Sequence, residues 1–279
     1  MVRRWVLCVA VGAGLFPVAA HASPPQRGAT YIGTARIASS IASSVPPGPI
    51  SFRVGSTGRR LTDFMLPYWY ANPTQCSAAV GFGGPGGIPL TASMAADGTF
   101  SGGGGQATTT VSGGFGAAGR RGSGSIDYNQ AASAGSAGCQ FKLPFTVHVA
   151  PAIPHGRSVA PEAGARYLGE TYQADPISLR VSANGRKVVH LDSTASLRCH
   201  EPNSKLEHFH FGFAVPRSGA LSVGGSYRDR EGAHITLDLL GRFVGARRTL
   251  AGTLRLRATN AAGSPCDSGG VSFVANPSQ

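Results

Sequence analysis

Past residue 22 the chain has no apolar run long enough to span a bilayer and no stretch with the apolar period of an amphipathic helix. Those absences exclude a helix bundle and a helical membrane protein as readings of that part of the chain. Acidic residues are scarce, 13 against 25 lysines and arginines, and lysine stands only at 142, 187 and 205. The positive charge is therefore almost all arginine. No run of five basic residues occurs, and aromatic residues are not interleaved with the arginine pairs. Backbone-tracking charge with stacking platforms is missing, so no nucleic acid is expected as a partner. The nucleophile pattern G-x-S-x-G is absent. Asp63, Asp97 and Asp127 mark no carboxylate pair of the kind glycoside hydrolysis needs. No catalytic residue is nominated. Cysteine is sparse too, and no pair has the C-x-x-C spacing of a zinc knuckle.

What is present begins with a leader. Met1-Val2-Arg3-Arg4 is short and basic, Trp5 to Ala20 is apolar, and Ala20-His21-Ala22 places small residues at the −3 and −1 positions of a signal-peptidase site. Residues 1–22 read as a signal peptide removed on export, which predicts a secreted or periplasmic, cell-envelope location. The formal charge of +12 falls by two, to +10, when Arg3 and Arg4 leave with it.

One phrase occurs twice. Pro49-Ile50-Ser51-Phe52-Arg53-Val54, a turn and Gly58-Arg59-Arg60-Leu61 return 127 residues later as Pro176-Ile177-Ser178-Leu179-Arg180-Val181, a turn and Gly185-Arg186-Lys187-Val188. A fixed interval of this kind signals an internal repeat. Tyr31-Ile32-Gly33 is likewise echoed by Tyr167-Leu168-Gly169. Residues 30–150 and 167–277 are expected to be two modules, joined by a Pro-, Ala- and Gly-rich linker at 151–166. Setting aside Cys8 of the leader, Cys76, Cys139, Cys199 and Cys266 remain. Their separations of 63 and 67 residues suggest one bridge per module, Cys76–Cys139 and Cys199–Cys266.

Period-two alternation is clearest in the second module. Ile177, Leu179 and Val181 alternate with polar residues, as do Ile235, Leu237 and Leu239, and Leu254, Leu256 and Ala258. Phe209, Phe211 and Phe213 alternate with His208, His210 and Gly212. Short alternating segments between Gly, Asn, Pro and Ser clusters predict half-buried antiparallel strands. The expected fold is all-β: two tandem antiparallel β-sandwich, jelly-roll-like modules. Glycine inflates the first module, and Gly83-Gly84-Pro85-Gly86-Gly87, Gly102 to Gly105 and Gly113-Gly114 are expected as loops between its strands. The formal G-x-G-x-x-G from Gly81 to Gly86 is read as such a loop, because Pro85 and Gly87 oppose the helix a dinucleotide site requires.

The second module closes on Cys266-Asp267-Ser268-Gly269-Gly270-Val271-Ser272-Phe273-Val274-Ala275. From Pro176 to Ala275 the order is an apolar strand pair, a first Cys, a Gly-led turn and strand, a Gly-x-Leu strand and a second Cys with Ser-Gly. This resembles secreted bacterial β-sandwich proteins of unassigned function, whose modules end Cys-x-Ser-Gly followed by an aromatic and Ala. The first module departs from it, with Cys139-Gln140-Phe141-Lys142 in place of the Ser-Gly ending. The resemblance implies a secreted β-sandwich and no particular activity.

Two groups of residues carry chemistry. His208-x-His210 puts two imidazoles on one face of a strand; with His200 as third ligand, or His190, Glu201 or His234, they would suit zinc or copper. No other cofactor is called for. Arg120-Arg121 and Arg247-Arg248, with Arg59-Arg60 and Arg186-Lys187, recur at matching turns and predict basic patches for anionic groups. Trp69, between Tyr68 and Tyr70, is expected to pack one ring inward from a strand. The expectation is a secreted or periplasmic binding or envelope-associated protein for an anionic cell-surface polymer or glycan. The alternative is a secreted hydrolase or metal-binding enzyme built on the histidine strand. None of these patterns encodes an oligomeric state.

Overall fold

The computed structural model describes residues 23–36, 48–69, 80–82, 90–104, 108–131, 138–199, 205–229, 232–259 and 263–278. Residues 1–22, Cys76, Tyr70, His200, Glu201 and the glycine-rich stretch 83–87 lie outside them, and with them the expected Cys76–Cys139 bridge. Regular structure among the described residues is strand throughout, save one 3-10 turn at Ala117–Gly119. No helix among them is long and apolar enough to cross a membrane.

The first sheet contains β1 (Thr30–Ala35), β2 (Gly48–Val54), β3 (Arg60–Trp69), β4 (Val80–Phe82), β5 (Thr91–Met94), β6 (Thr99–Gly104), β7 (Thr108–Phe115), β8 (Arg121–Gln130) and β9 (Cys139–Val149). Its order is β2-β1-β9-β8-β7-β6-β5-β3-β4, and β2 also pairs with β3. That last pairing closes the ring, leaving β4 as an appendage of β3. The second sheet contains β10 (Arg166–Thr171), β11 (Pro176–Val181), β12 (Lys187–Cys199), β13 (Lys205–Ala214), β14 (Ala220–Arg228), β15 (His234–Val244), β16 (Thr249–Thr259), β17 (Pro265–Asp267) and β18 (Val271–Pro277). Its order is β13-β12-β11-β10-β18-β16-β15-β14, with β17 pairing to β12 and β16.

The sandwich expectation is therefore replaced by two barrel-like sheets, the first closed and the second nearly so. Alternation along a strand reports one buried face, and that face can look at a second sheet or at its own sheet curled round. Here the strands run as meanders without the crossovers of a jelly roll. The inner faces fill the interior. Phe52 lies at the middle of the first core, with ring centroids 4.9 Å from Phe64, 5.7 Å from Tyr31 and 6.2 Å from Phe145. Aliphatic residues with Tyr167, Phe209, Phe243 and Phe273 fill the second.

A second correction concerns glycine. Gly102 to Gly104 belong to β6, and Gly113-Gly114 to β7, as strand residues and not loops. The reason is close approach: a Cβ on Gly102 would lie 2.0 Å from the carbonyl oxygen of Thr91, and one on Gly113 2.2 Å from that of Ser123. Lacking side chains, these residues let neighbouring strands converge as the sheet curls.

The second ring has a seam between β13 and β14, for which no backbone pairing is found among the described residues. Side chains span it. The Tyr227 hydroxyl donates to Glu207 Oε1 at 3.0 Å, and the Phe211 ring lies where a Cβ on Gly225 would be, 1.9 Å from its Cζ. Elsewhere Cys199 and Cys266 face each other across β12 and β17 and form the expected disulfide.

Both barrels begin alike. The backbone N–H of Gln26 donates to the Tyr31 hydroxyl at 3.0 Å, and that of Glu162 to the Tyr167 hydroxyl at 3.1 Å. Burial raises both phenol pKa values. The segment before β10 is thus tied to its barrel, and Val159 N–H also donates to the Phe243 carbonyl at 2.8 Å. Between the barrels, Tyr172 donates to the Pro151 carbonyl at 2.6 Å. Ser51 and Met65 are buried there and line a cleft shared with Tyr172, Gln173 and Ser272.

Candidate functional site

The paired arginines of the first barrel follow the β7–β8 turn. Ala118 and Gly119 take positive φ, 64° and 60°, and the Gly116 N–H donates to the Arg121 carbonyl at 2.9 Å to close the turn. Two further bonds fix it. Tyr31 donates its hydroxyl to the Gly119 carbonyl, and Val149 N–H donates to the Arg120 carbonyl at 2.9 Å. With the backbone held, both guanidinium side chains are left exposed.

They line a groove of about 890 Å³ whose walls include Thr34, Ser123, Thr146 and His148 of the first barrel and Glu170 and Ala174 of the second. His148 Nε2 stands 3.2 Å from Glu170 Oε2 and links the two walls. Two planar donors beside three hydroxyls suit carboxylate, phosphate or sulfate oxygens. The matching pair of the second barrel sits elsewhere. Arg247 is exposed in the turn after β15, and Arg248, at φ 52°, turns its Nη1 toward the Pro161 carbonyl at 3.4 Å. The two arginine pairs do not share a groove.

The histidine strand shows the expected alternation: Phe209 and Phe213 are buried, His208 and His210 exposed. Pairing with β12 sets Asp192 opposite His210 and Thr194 opposite His208. Between Val188 and Leu191 the register shifts, so that Val189 and His190 together oppose Gly212 and both are exposed. Such a bulge re-aims a side chain, and it turns His190 onto the outer face beside Asp192. His208 Nε2 is 2.7 Å from Asp192 Oδ1, His190 Nε2 is 3.7 Å from Asp192 Oδ2, and the His190 and His210 rings meet edge to face at 3.9 Å. His234 begins β15, opposite Arg228 and Thr259, away from this group. Sequence reasoning passed over Asp192. Its one signal was His190-Leu191-Asp192, the same polar–apolar–polar phase as His208-Phe209-His210.

A third feature gave no sequence signal. Asp175, 3% exposed, lies in the β10–β11 turn against the outer face of β12. Thr194 donates to its Oδ1 at 3.2 Å, and its Oδ2 has no hydrogen-bond partner among the described residues. Burial pushes its pKa up to about 7, with the Thr194 bond opposing. Gln173 anchors the same turn, accepting from the Ser196 N–H at 3.0 Å and donating to the Ser196 carbonyl at 3.3 Å.

No family model and no curated protein matches the chain. Among solved structures, intact Ap-TbpB with its N and C lobes aligns over 92% of this chain and 78% of that one, at 9% identity and a TM-score of 0.30. A likeness this loose bears on neither fold nor ligand.

Proposed function

We propose that this chain is an exported, envelope-associated binding protein that holds an anionic cell-surface polymer or glycan at Arg120 and Arg121. The observation that carries the reading is the groove between the barrels, where a turn fixed by three hydrogen bonds, two from backbone N–H groups and one from the Tyr31 hydroxyl, presents two adjacent guanidiniums beside the hydroxyls of Thr34, Ser123 and Thr146. Glu170 on the opposite wall is held by His148, and among the described residues no salt bridge engages Arg120 or Arg121. The net positive charge favours encounter with polyanions. Cleavage after Ala22 and export fit a disulfide, which persists in oxidising compartments. The two barrels descend, in this reading, from one duplicated unit. The doubled phrase falls on β2–β3 and β11–β12, and the tyrosine-capped entries match.

Retention of the tag-free protein on isolated envelope material tests this, with salt titration and two double variants. R120S/R121S is expected to lose most of the retention, while R247S/R248S, which removes equal charge away from the groove, keeps it. Equal loss in both variants assigns binding to net charge and overturns the site, as does retention that salt leaves unchanged.

A further inference from the structure

We propose that His190, Asp192 and His210 form a site for a borderline divalent transition metal, Zn²⁺ or Cu²⁺, on the outside of the second barrel, with His208 holding Asp192 in position. One nitrogen or oxygen from each of the three ligands lies within 4.8 Å of the others. Around tetrahedral zinc, ligand atoms sit roughly 3.3 Å apart. Small side-chain rotations of two exposed imidazoles and a half-buried carboxylate close that difference without moving backbone. The carboxylate is already divided between neighbours, Oδ1 toward His208 and Oδ2 toward His190. Fixing one oxygen with an imidazole outside the coordination shell is how metal sites orient a carboxylate ligand.

Local structure supports the grouping in two ways. Opposed positions on neighbouring strands bring Asp192 to His210 directly. His190 joins them through the bulge opposite Gly212; in an unbroken strand it would share the inward phase of Val188. The setting also selects among ions. His190 is paired with Arg180 on β11, and Arg180 with Arg166 on β10; both arginines line the groove of about 610 Å³ that includes His190 and Asp192. Hard cations held by charge alone are disfavoured beside two guanidiniums, whereas imidazole ligation retains zinc or copper. The three protein ligands leave coordination positions for water or an anion.

The test is calorimetry on the tag-free protein without residues 1–22, titrated with Zn²⁺, Cu²⁺ and, as controls, Ca²⁺ and Mg²⁺. One equivalent of zinc or copper is expected to bind with a Kd on the order of micromolar, and the controls not at all. H190A, H210A and D192N should each weaken binding by about tenfold or more, and H208A by about tenfold with the stoichiometry kept. H234A should bind as the parent does. Copper EPR should show nitrogen ligation that H190A/H210A loses, and unchanged circular dichroism would show that this variant is folded. No saturable binding up to about 100 µM, a folded H190A/H210A protein binding like the parent, or equal competition by Ca²⁺ overturns the site. Undiminished binding in H208A overturns the role given to His208.

Discussion

Tyr227 donates its hydroxyl to Glu207 across the seam where the second barrel has no backbone ladder between the described residues of β13 and β14. Glu207 is 5% exposed, and burial together with the Glu207 carboxylate drives the phenol pKa up. The bond joins a neutral donor to a buried acceptor, the kind whose loss is felt.

Removing the hydroxyl should loosen that seam first. Tyr227→Phe is expected to cost about 1.5–3 kcal/mol, the range for a hydrogen bond to a charged group, measured by denaturant unfolding. Hydrogen exchange should quicken in β13 and β14 more than in β10 and β18, which have backbone partners on both sides. Uniform protection across the barrel would remove the seam from the account.

Asp175 should make stability fall as pH rises. Its folded pKa of about 7 lies above the ordinary aspartate value of 3.8, so the folded state holds the proton more tightly than the unfolded one. The stabilisation is present in full below about pH 4 and is lost as pH climbs to about 7. The loss amounts to at most about 4 kcal/mol. Asp175→Asn lacks this dependence. The stability of the parent relative to the variant, by urea unfolding at pH 4 and pH 8, should drop with pH; a constant difference would contradict the burial argument.

Reducing the bridge between Cys199 and Cys266 should destabilise the second barrel selectively. The bond closes a loop of 67 residues, for which chain entropy gives about 4 kcal/mol. Cys199→Ser with Cys266→Ser, compared with the parent by unfolding under non-reducing conditions, measures it. Peptide mass mapping independently checks the pairing.

Much of the fold was legible because strands advertise themselves. The burial phase of β11, β13, β15 and β16 is the phase read from Ile177, Phe209, Ile235 and Leu254. The paired Cys199 and Cys266 and the arginine-bearing turns also fall where their spacing put them. Gly102 and Gly113 misled, because missing side chains signal a loop and a close strand crossing equally.

What the amino-acid order determined by itself is local: which residues alternate inward, where the chain turns, and that His208 and His210 share a face. Tertiary structure decided everything that depends on partners distant in the chain. Closure of the first barrel rests on β1 meeting β9 while β2 meets β3, pairings no strand encodes alone. Asp192 joined the histidines through interstrand register and a bulge, Arg120 and Arg121 acquired a groove because β10 stands opposite, and Asp175 was buried by the sheet beneath its turn. Period and spacing are properties of a segment, whereas register, enclosure and desolvation belong to the assembled sheet.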